Sequence, residues 1–129
     1  MKTSSSSSPH AIYIIEDDPD FASCISRYIQ KSCKNTNPLI FHNVIDAIQS
    51  IDTIFPSLIF LDILLTGPDG FTLLNELASY PDTARIPIVI ISSLNLQNQD
   101  LSSYGVIATL RKDSLTPQEV IKYAKQYSH

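Results

Sequence analysis

Polar residues stand directly after the apolar runs of this chain, and their types could together carry out phosphoryl chemistry. Glu16 and Asp17 follow the first apolar run, Asp62 the third, Ser92 the fourth and Lys112 the fifth. Three carboxylates in one place repel each other unless a cation lies among them, and oxygen ligands of this kind suit Mg²⁺. An aspartate beside Mg²⁺, a hydroxyl and a lysine can act as a nucleophile and become an aspartyl phosphate.

These residues can meet only if the fold brings the ends of several strands together. Short apolar runs rich in β-forming residues predict five strands, at residues 11–15, 39–41, 58–61, 87–91 and 106–110. Apolar residues at helical spacing predict a helix after each strand, the fourth from Leu94 to Tyr104 in a segment rich in Asn, Gln and Ser. Apolar strands that alternate with helices indicate an α/β fold with a parallel sheet covered on both faces. In such a sheet the site lies at the carboxyl ends of the strands.

Capping signals mark the starts of helices and also supply simpler explanations for some of the polar residues. Asp18 before a proline predicts an N-cap, as does Asn43, and a capping box with proline begins at Thr116. Taken alone, Ser92 could cap the fourth helix and Lys112 could be a solvated charge. Jointly, complementary chemistry at four strand ends favours a functional site.

Composition restricts the class of protein. The 129 residues suit one domain, and the net charge of -4 argues against a nucleic-acid surface. No apolar run is long enough for a membrane span, and two cysteines indicate reduced thiols in a cytoplasmic protein. Residues 1–10 are polar and serine-rich without an apolar signal region, which predicts a disordered tail before a domain at 11–129.

The ordered set of motifs resembles the receiver domain of two-component response regulators, the CheY-like proteins, over about residues 11–127. The segment "IIEDDP" resembles the acidic pair of the family, "LDILLTGPDG" its phosphoacceptor stretch, "IVIISS" its Ser/Thr position and "RKDS" its lysine. The resemblance implies a flavodoxin-like doubly wound (βα)5 sandwich of three layers with strand order 2-1-3-4-5. It also implies phosphorelay signalling, in which Asp62 accepts a phosphoryl group from a sensor histidine kinase or a phosphotransfer protein.

The resemblance further implies roles for the residues around the phosphoacceptor. Asp17, Asp62 and the backbone carbonyl of Leu64 would bind Mg²⁺, and Glu16 would act mainly through water. Lys112 would neutralise the phosphoryl oxygens. The domain would catalyse only its own phosphorylation and hydrolysis and would not be an enzyme with turnover of a separate substrate.

Phosphorylation is expected to move Ser92 and to change the conformation of the face formed by the fourth helix, the fifth strand and the fifth helix. The partner at that face would be a downstream protein or an output domain outside this sequence. Two departures concern this switch: Thr109 stands where the family has an aromatic residue, and Asp113 replaces the proline after the lysine. Leu64 and Leu94 flank the expected path of the attacking water, and since neither can orient water we predict slow self-hydrolysis.

Two other functions remain open on the sequence. The departures at Thr109 and Asp113 allow a receiver-like interaction module whose output does not depend on phosphate. An aspartyl phosphatase would also use an aspartate nucleophile, but that class carries a second acid two residues later, where this chain has Leu64.

Overall fold

Five parallel strands form one sheet in the order predicted. The structure is a computed structural model that describes residues 10–65, 69–96 and 99–128. The strands are β1 (His10–Ile15), β2 (Thr36–Phe41), β3 (Leu58–Asp62), β4 (Ile88–Ser92) and β5 (Val106–Arg111). Their order is β2-β1-β3-β4-β5, which confirms the doubly wound α/β fold.

The strand bounds depart from the prediction mainly at β2. This strand begins at Thr36 and includes Pro38, which pairs with Ile12 of β1. Proline is tolerated here because β2 is an edge strand and its missing N–H is not needed by a second neighbour. β1 begins at His10, the last residue of the predicted tail, and residues 1–9 of that tail lie outside the described residues.

Helices cover both faces of the sheet. They are α1 (Pro19–Ser32), α2 (Val44–Ile51), α3 (Gly70–Ala78), the short α4 (Pro81–Ala84) and α5 (Pro117–Gln126). One buried cluster joins the sheet to α1 and α5, and the other joins it to α2 and α3. The predicted caps are confirmed: Asp18 and Asn43 accept hydrogen bonds from the first-turn amides of α1 and α2, and Thr116 forms a capping box with Glu119.

The predicted fourth helix, from Leu94 to Tyr104, is wrong for the described residues of that segment. They form only a 3-10 helix, Ser102–Tyr104, which ends at Gly105 with a positive φ of 80°. The Asp100 carboxylate accepts hydrogen bonds from the Ser102 amide and hydroxyl at 3.1 and 2.7 Å. Such side-chain bonds to nearby backbone compete with helix formation, which explains why this segment does not form the helix that its apolar spacing predicts.

The sheet is buried where it must hold the site. Every residue of β3 and β4 is buried, so the apolar side chains of these two strands fill both layers. Among the described residues, no helix has the length and apolar character needed to cross a membrane.

Candidate functional site

The carboxyl ends of β1 and β3 bring three acids together. The register pairs Ile15 with Leu61, so the residues that follow each of them lie level at the edge of the sheet. Oxygens of Glu16, Asp17 and Asp62 all lie within 4.8 Å of one another. Glu16 is 2% exposed and Asp62 6% exposed, and Asp17 is the most exposed of the three. The predicted acidic cluster is therefore present in the structure.

Lys112 is the cation that the structure places among these acids. Its Nζ lies 2.8 Å from Glu16 Oε1 and 3.2 Å from Asp62 Oδ2. The lysine stands at the start of a 3-10 helix, Lys112–Ser114, directly after β5, and its ammonium lies 4.6 Å from the centre of the Phe21 ring. A cation over an aromatic face is attracted to the ring. The first turn of α1 thus helps to position the lysine.

The pKa values of this cluster reflect burial and shared charge. Burial raises the pKa of Glu16 to about 7, and the nearby charge of Asp62 acts in the same direction. Hydrogen bonds from Lys112 and from the Asp18 amide oppose this effect without cancelling it. Burial alone would lower the pKa of Lys112, but its two carboxylate partners raise that pKa above its ordinary value. Lys112 therefore stays charged across the physiological range.

Asp62 and Ser92 each end a buried strand, and each side chain accepts a hydrogen bond from the backbone amide two residues later. The Leu64 amide donates to Asp62 Oδ1 at 3.0 Å, and the Leu94 amide donates to Ser92 Oγ at 3.0 Å. The side chains of Leu64 and Leu94 are 48% and 45% exposed, so both leucines stand at the mouth of the site. The predicted role of the Leu64 carbonyl as a metal ligand stays a prediction.

Gly70 allows the start of α3 to approach the strand that carries Asp62. The Gly70 amide donates to the Ile63 carbonyl at 3.0 Å. A Cβ at this position would lie 2.8 Å from the Ile63 Cα and 3.2 Å from the Asp62 carbonyl oxygen. Only glycine fits here without moving the chain, because the atom that a Cβ would meet below 3 Å is a backbone atom and cannot rotate away.

Ser92 and Thr109, the two predicted switch positions, lie on the neighbouring strands β4 and β5. Ser92 is 1% exposed and pairs with Arg111 across β4 and β5, and it lines a small cavity together with Thr109 and Arg111. The described residues contain no cis peptide bond, so the Lys112–Asp113 bond is trans. Asp113 instead forms an exposed ion pair with Arg111 at 3.2 Å.

Two supporting residues were missed on the sequence. The His42 Nδ1 lies 3.0 Å from the Glu16 carbonyl oxygen and ties the loop after β2 to the end of β1. The second is Phe21: apolar spacing in α1 indicates that its ring packs on the core, but cannot show that the ring also faces Lys112, far along the chain. The signal for His42 is its position: it is a polar residue directly after β2, at the same edge of the sheet as the acids.

The acidic cluster fits a divalent metal ion. Glu16, Asp17 and Asp62 offer only oxygen atoms, which hard cations prefer. Three carboxylates and one lysine leave an excess of negative charge, which a divalent cation would neutralise.

A parallel sheet in the order 2-1-3-4-5 with acids at its carboxyl edge is the architecture of the flavodoxin-like, CheY-like fold. The family model described as "Response regulator receiver domain" matches residues 12–125, and the chain belongs to this family. Receiver domains are signalling domains of two-component systems and take part in phosphorelays. They bind divalent metal ions and interact with sensor histidine kinases and downstream targets.

Solved structures of similar fold come from several bacteria. The signal receiver domain of a DNA-binding response regulator from Colwellia psychrerythraea 34H is 26% identical with a TM-score of 0.81, and the match covers 91% of this chain and 96% of that one. The BeF3-activated N-terminal receiver domain of Klebsiella pneumoniae RstA is 26% identical with a TM-score of 0.75, covering 92% and 97%. A putative response regulator from Chloroflexus aurantiacus J-10-fl is 25% identical with a TM-score of 0.75, also covering 92% and 97%. A comparison with curated proteins gave no match.

Proposed function

We propose that this chain is a phosphoacceptor module of a phosphorelay and that Asp62 carries the phosphoryl group. The observation that supports this most is the environment of Asp62. Its carboxylate ends a fully buried strand, lies within 4.8 Å of two further carboxylates and shares Lys112 with Glu16. A structural role alone would not require three clustered acids with a lysine that contacts two of them, because like charges at this separation are unfavourable.

In the proposed reaction, an oxygen of Asp62 attacks the phosphorus of a phosphohistidine on a sensor kinase or a phosphotransfer protein. The new O–P bond forms as the N–P bond breaks, and the electron pair of that bond returns to the imidazole nitrogen. Lys112 and the hydroxyl of Ser92 would contact the phosphoryl oxygens. Hydrolysis then transfers the group to water and restores the carboxylate. Such transition states need mostly positioning and neutralisation of charge, and Lys112 and Ser92 would contribute to both.

Asp17 and Asp62 would hold Mg²⁺, with the Leu64 carbonyl, and Glu16 would contribute mainly through water. When bound, the ion would neutralise the negative charge that the donor phosphoryl group brings. Lys112 supplies a second positive charge, in contact with both Asp62 and Glu16, and burial of these two carboxylates strengthens the electrostatic interactions.

We propose that phosphorylation changes the surface formed by the β4–β5 connection, β5 and α5, through Ser92 and Thr109. The predicted fourth helix is not part of this surface among the described residues, so the change would occur in a loop with one 3-10 helix. The cavity shared by Ser92 and Thr109 supports the proposal, because it gives the Ser92 side chain a neighbouring space. The partner at this surface would be a downstream protein or an output domain outside this chain, and the receiver domain would occupy residues 11–129 after a polar tail.

A phosphorylation-independent interaction module is the second candidate. Thr109 has no aromatic ring that could move between two positions. The β4–β5 connection also lacks an α-helix in its described residues. Both features reduce the means by which a phosphoryl group could be sensed at a distance. In that case Asp62 would serve only the packing and charge balance of the strand end.

The test is phosphorylation of the full chain by acetyl phosphate with Mg²⁺, read by mass spectrometry. We expect one added phosphoryl group on wild type and none on Asp62→Asn. The variant Asp20→Asn, which removes an exposed acid outside the cluster, is the matched control and should be modified like wild type. Beryllofluoride with Mg²⁺, followed by NMR, tests the switch separately. Modification of Asp62→Asn, or an unmodified wild type, would refute the phosphoacceptor assignment, and phosphorylation without spectral change beyond the site would favour the second candidate.

A further inference from the structure

A groove of about 410 Å³ lies at the opposite end of the sheet from the acidic cluster. In a parallel βα fold each helix runs back from the carboxyl edge of the sheet to its amino edge, so the ends of α2 and α3 lie far from Asp62. The groove is formed where α2, α3 and α4 meet. The residues that line it include Ile48, Asp52, Glu76, Leu77, Tyr80 and Asp82.

The groove combines an apolar floor with an acidic rim. Ile51 and Leu77 lie buried beneath the groove, so its open apolar surface comes from the half-buried Ile48 and from Tyr80, which is 58% exposed. Asp52, Glu76 and Asp82 are exposed, and none of the residues that line the groove is basic. Within the part of the chain that the structure describes, these three carboxylates make no ion pair and no side-chain hydrogen bond.

The position of two of these acids is unfavourable for the isolated protein. Asp52 is the C-cap of α2, and Glu76 lies in the last turn of α3, and neither helix has a basic residue in its last turn. The carboxyl end of a helix carries partial negative charge, so acids there are destabilising and cations are favoured. Local rules are commonly broken where a site needs the residue. A bound cationic group would relieve this arrangement, so the position of these acids at the helix ends indicates a positively charged ligand.

We propose that this groove is a docking site for a partner protein that inserts an arginine together with an apolar side chain. The apolar residues of the floor would bury the apolar side chain, and the rim would pair with the guanidinium. Tyr80 favours arginine over lysine, because a guanidinium stacks on an aromatic ring as well as pairing with carboxylates. Since the groove lies at the other end of the sheet from Asp62, a partner could occupy it whatever the state of the phosphoacceptor.

The test uses NMR of the full chain with a short blocked peptide of alternating leucine and arginine. We expect shifts confined to the residues that line the groove, weaker binding of a lysine peptide and no binding of a glutamate peptide. Glu76→Gln should weaken binding about threefold, as expected for one surface carboxylate. The matched charge control Asp20→Asn, at the other end of the sheet, should bind like wild type. Raising the salt from about 50 to about 500 mM should weaken binding further.

Several results would overturn the proposal. Shifts on another face would place the binding site elsewhere. Equal binding of the glutamate peptide would show that charge does not determine binding, and equal weakening by Asp20→Asn would show that the peptide senses only net charge. Shifts in the groove that depend on protein concentration without peptide would assign it to a second copy of the chain. Changes at the groove on removal of residues 1–9 would assign it to that segment. Tyr80→Leu is a further check: unchanged preference for arginine over lysine would refute the role given to the ring.

Discussion

Protonation of Glu16 should make the stability of the metal-free protein depend on pH. The pKa of this carboxyl is about 7 in the folded chain, against an ordinary value of 4.5, chiefly because it is buried. The folded state therefore holds this proton to a higher pH than the unfolded chain does, so the free energy of unfolding falls as the pH rises between about 4.5 and about 7. One pKa unit corresponds to about 1.4 kcal/mol, so we expect a loss of about 2 to 3 kcal/mol across this interval.

Urea denaturation at pH 5 and pH 8, in the presence of a chelator, measures this loss. With an m-value of about 1 to 3 kcal/mol/M, the midpoint of wild type should be at least roughly 1 M lower at pH 8. Glu16→Gln removes the titrating group at constant size and should abolish most of the difference. The pKa of Lys112 is raised from 10.5 and that of Asp100 is lowered from 3.8, so neither titrates in this interval.

Glu76→Gln is the matched control, because Glu76 is an exposed glutamate on α3 and its loss should leave the pH dependence intact. If Glu16→Gln kept the full pH dependence of wild type, or if wild type were stabilised relative to this variant on going from pH 5 to pH 8, burial of Glu16 would not be the cause. Mg²⁺ should stabilise wild type more at pH 8 than at pH 5, because the deprotonated carboxylate is the form that favours a cation.

Three further predictions concern the same edge of the sheet. Lys112→Met should slow phosphorylation by a small donor about 100-fold, since one preorganised positive group is lost; a time course by mass spectrometry checks this, and an undiminished rate contradicts it. Leu64→Asn with Leu94→Glu should speed loss of the phosphoryl group, because polar side chains at the mouth could orient water; an unchanged decay of acyl phosphate would refute this explanation. Gly70→Ala should cost about 1 to 3 kcal/mol of stability, since its Cβ would lie 2.8 Å from the Ile63 Cα; equal urea midpoints for variant and wild type would argue against the close approach.

The sequence was sufficient for the strands and for the residues at their carboxyl ends. Strands buried on both faces read as uninterrupted apolar runs, so the residue that ends each run is visible without a structure. That is why Glu16, Asp62 and Lys112 could be placed at one edge before any distance was known. The capping box at Thr116 was equally visible, because its two reciprocal bonds depend on residues three positions apart.

The sequence failed where local hydrogen bonds or long-range contacts decide the outcome. The residues after Ser92 have apolar spacing that suggests a helix. Hydrogen bonds from the Ser102 amide and hydroxyl to Asp100 compete with it, and the described residues form only a 3-10 helix. The short α4 has too few residues to show a period. The contact between Phe21 and Lys112 joins α1 to the end of β5, and it cannot be predicted from the sequence pattern of either segment.

The carboxylate of Asp62 is engaged at both oxygens before any donor arrives. The Leu64 amide holds Oδ1, and Lys112 holds Oδ2. Glu16 is held in the same manner, by Lys112 on one oxygen and by the Asp18 amide on the other. Rotation of these side chains is therefore restricted in the resting protein, and the conformational entropy of orienting them is lost during folding. A phosphodonor that reaches this edge would meet side chains already oriented, and its encounter would cost less ordering than at a site with mobile acids.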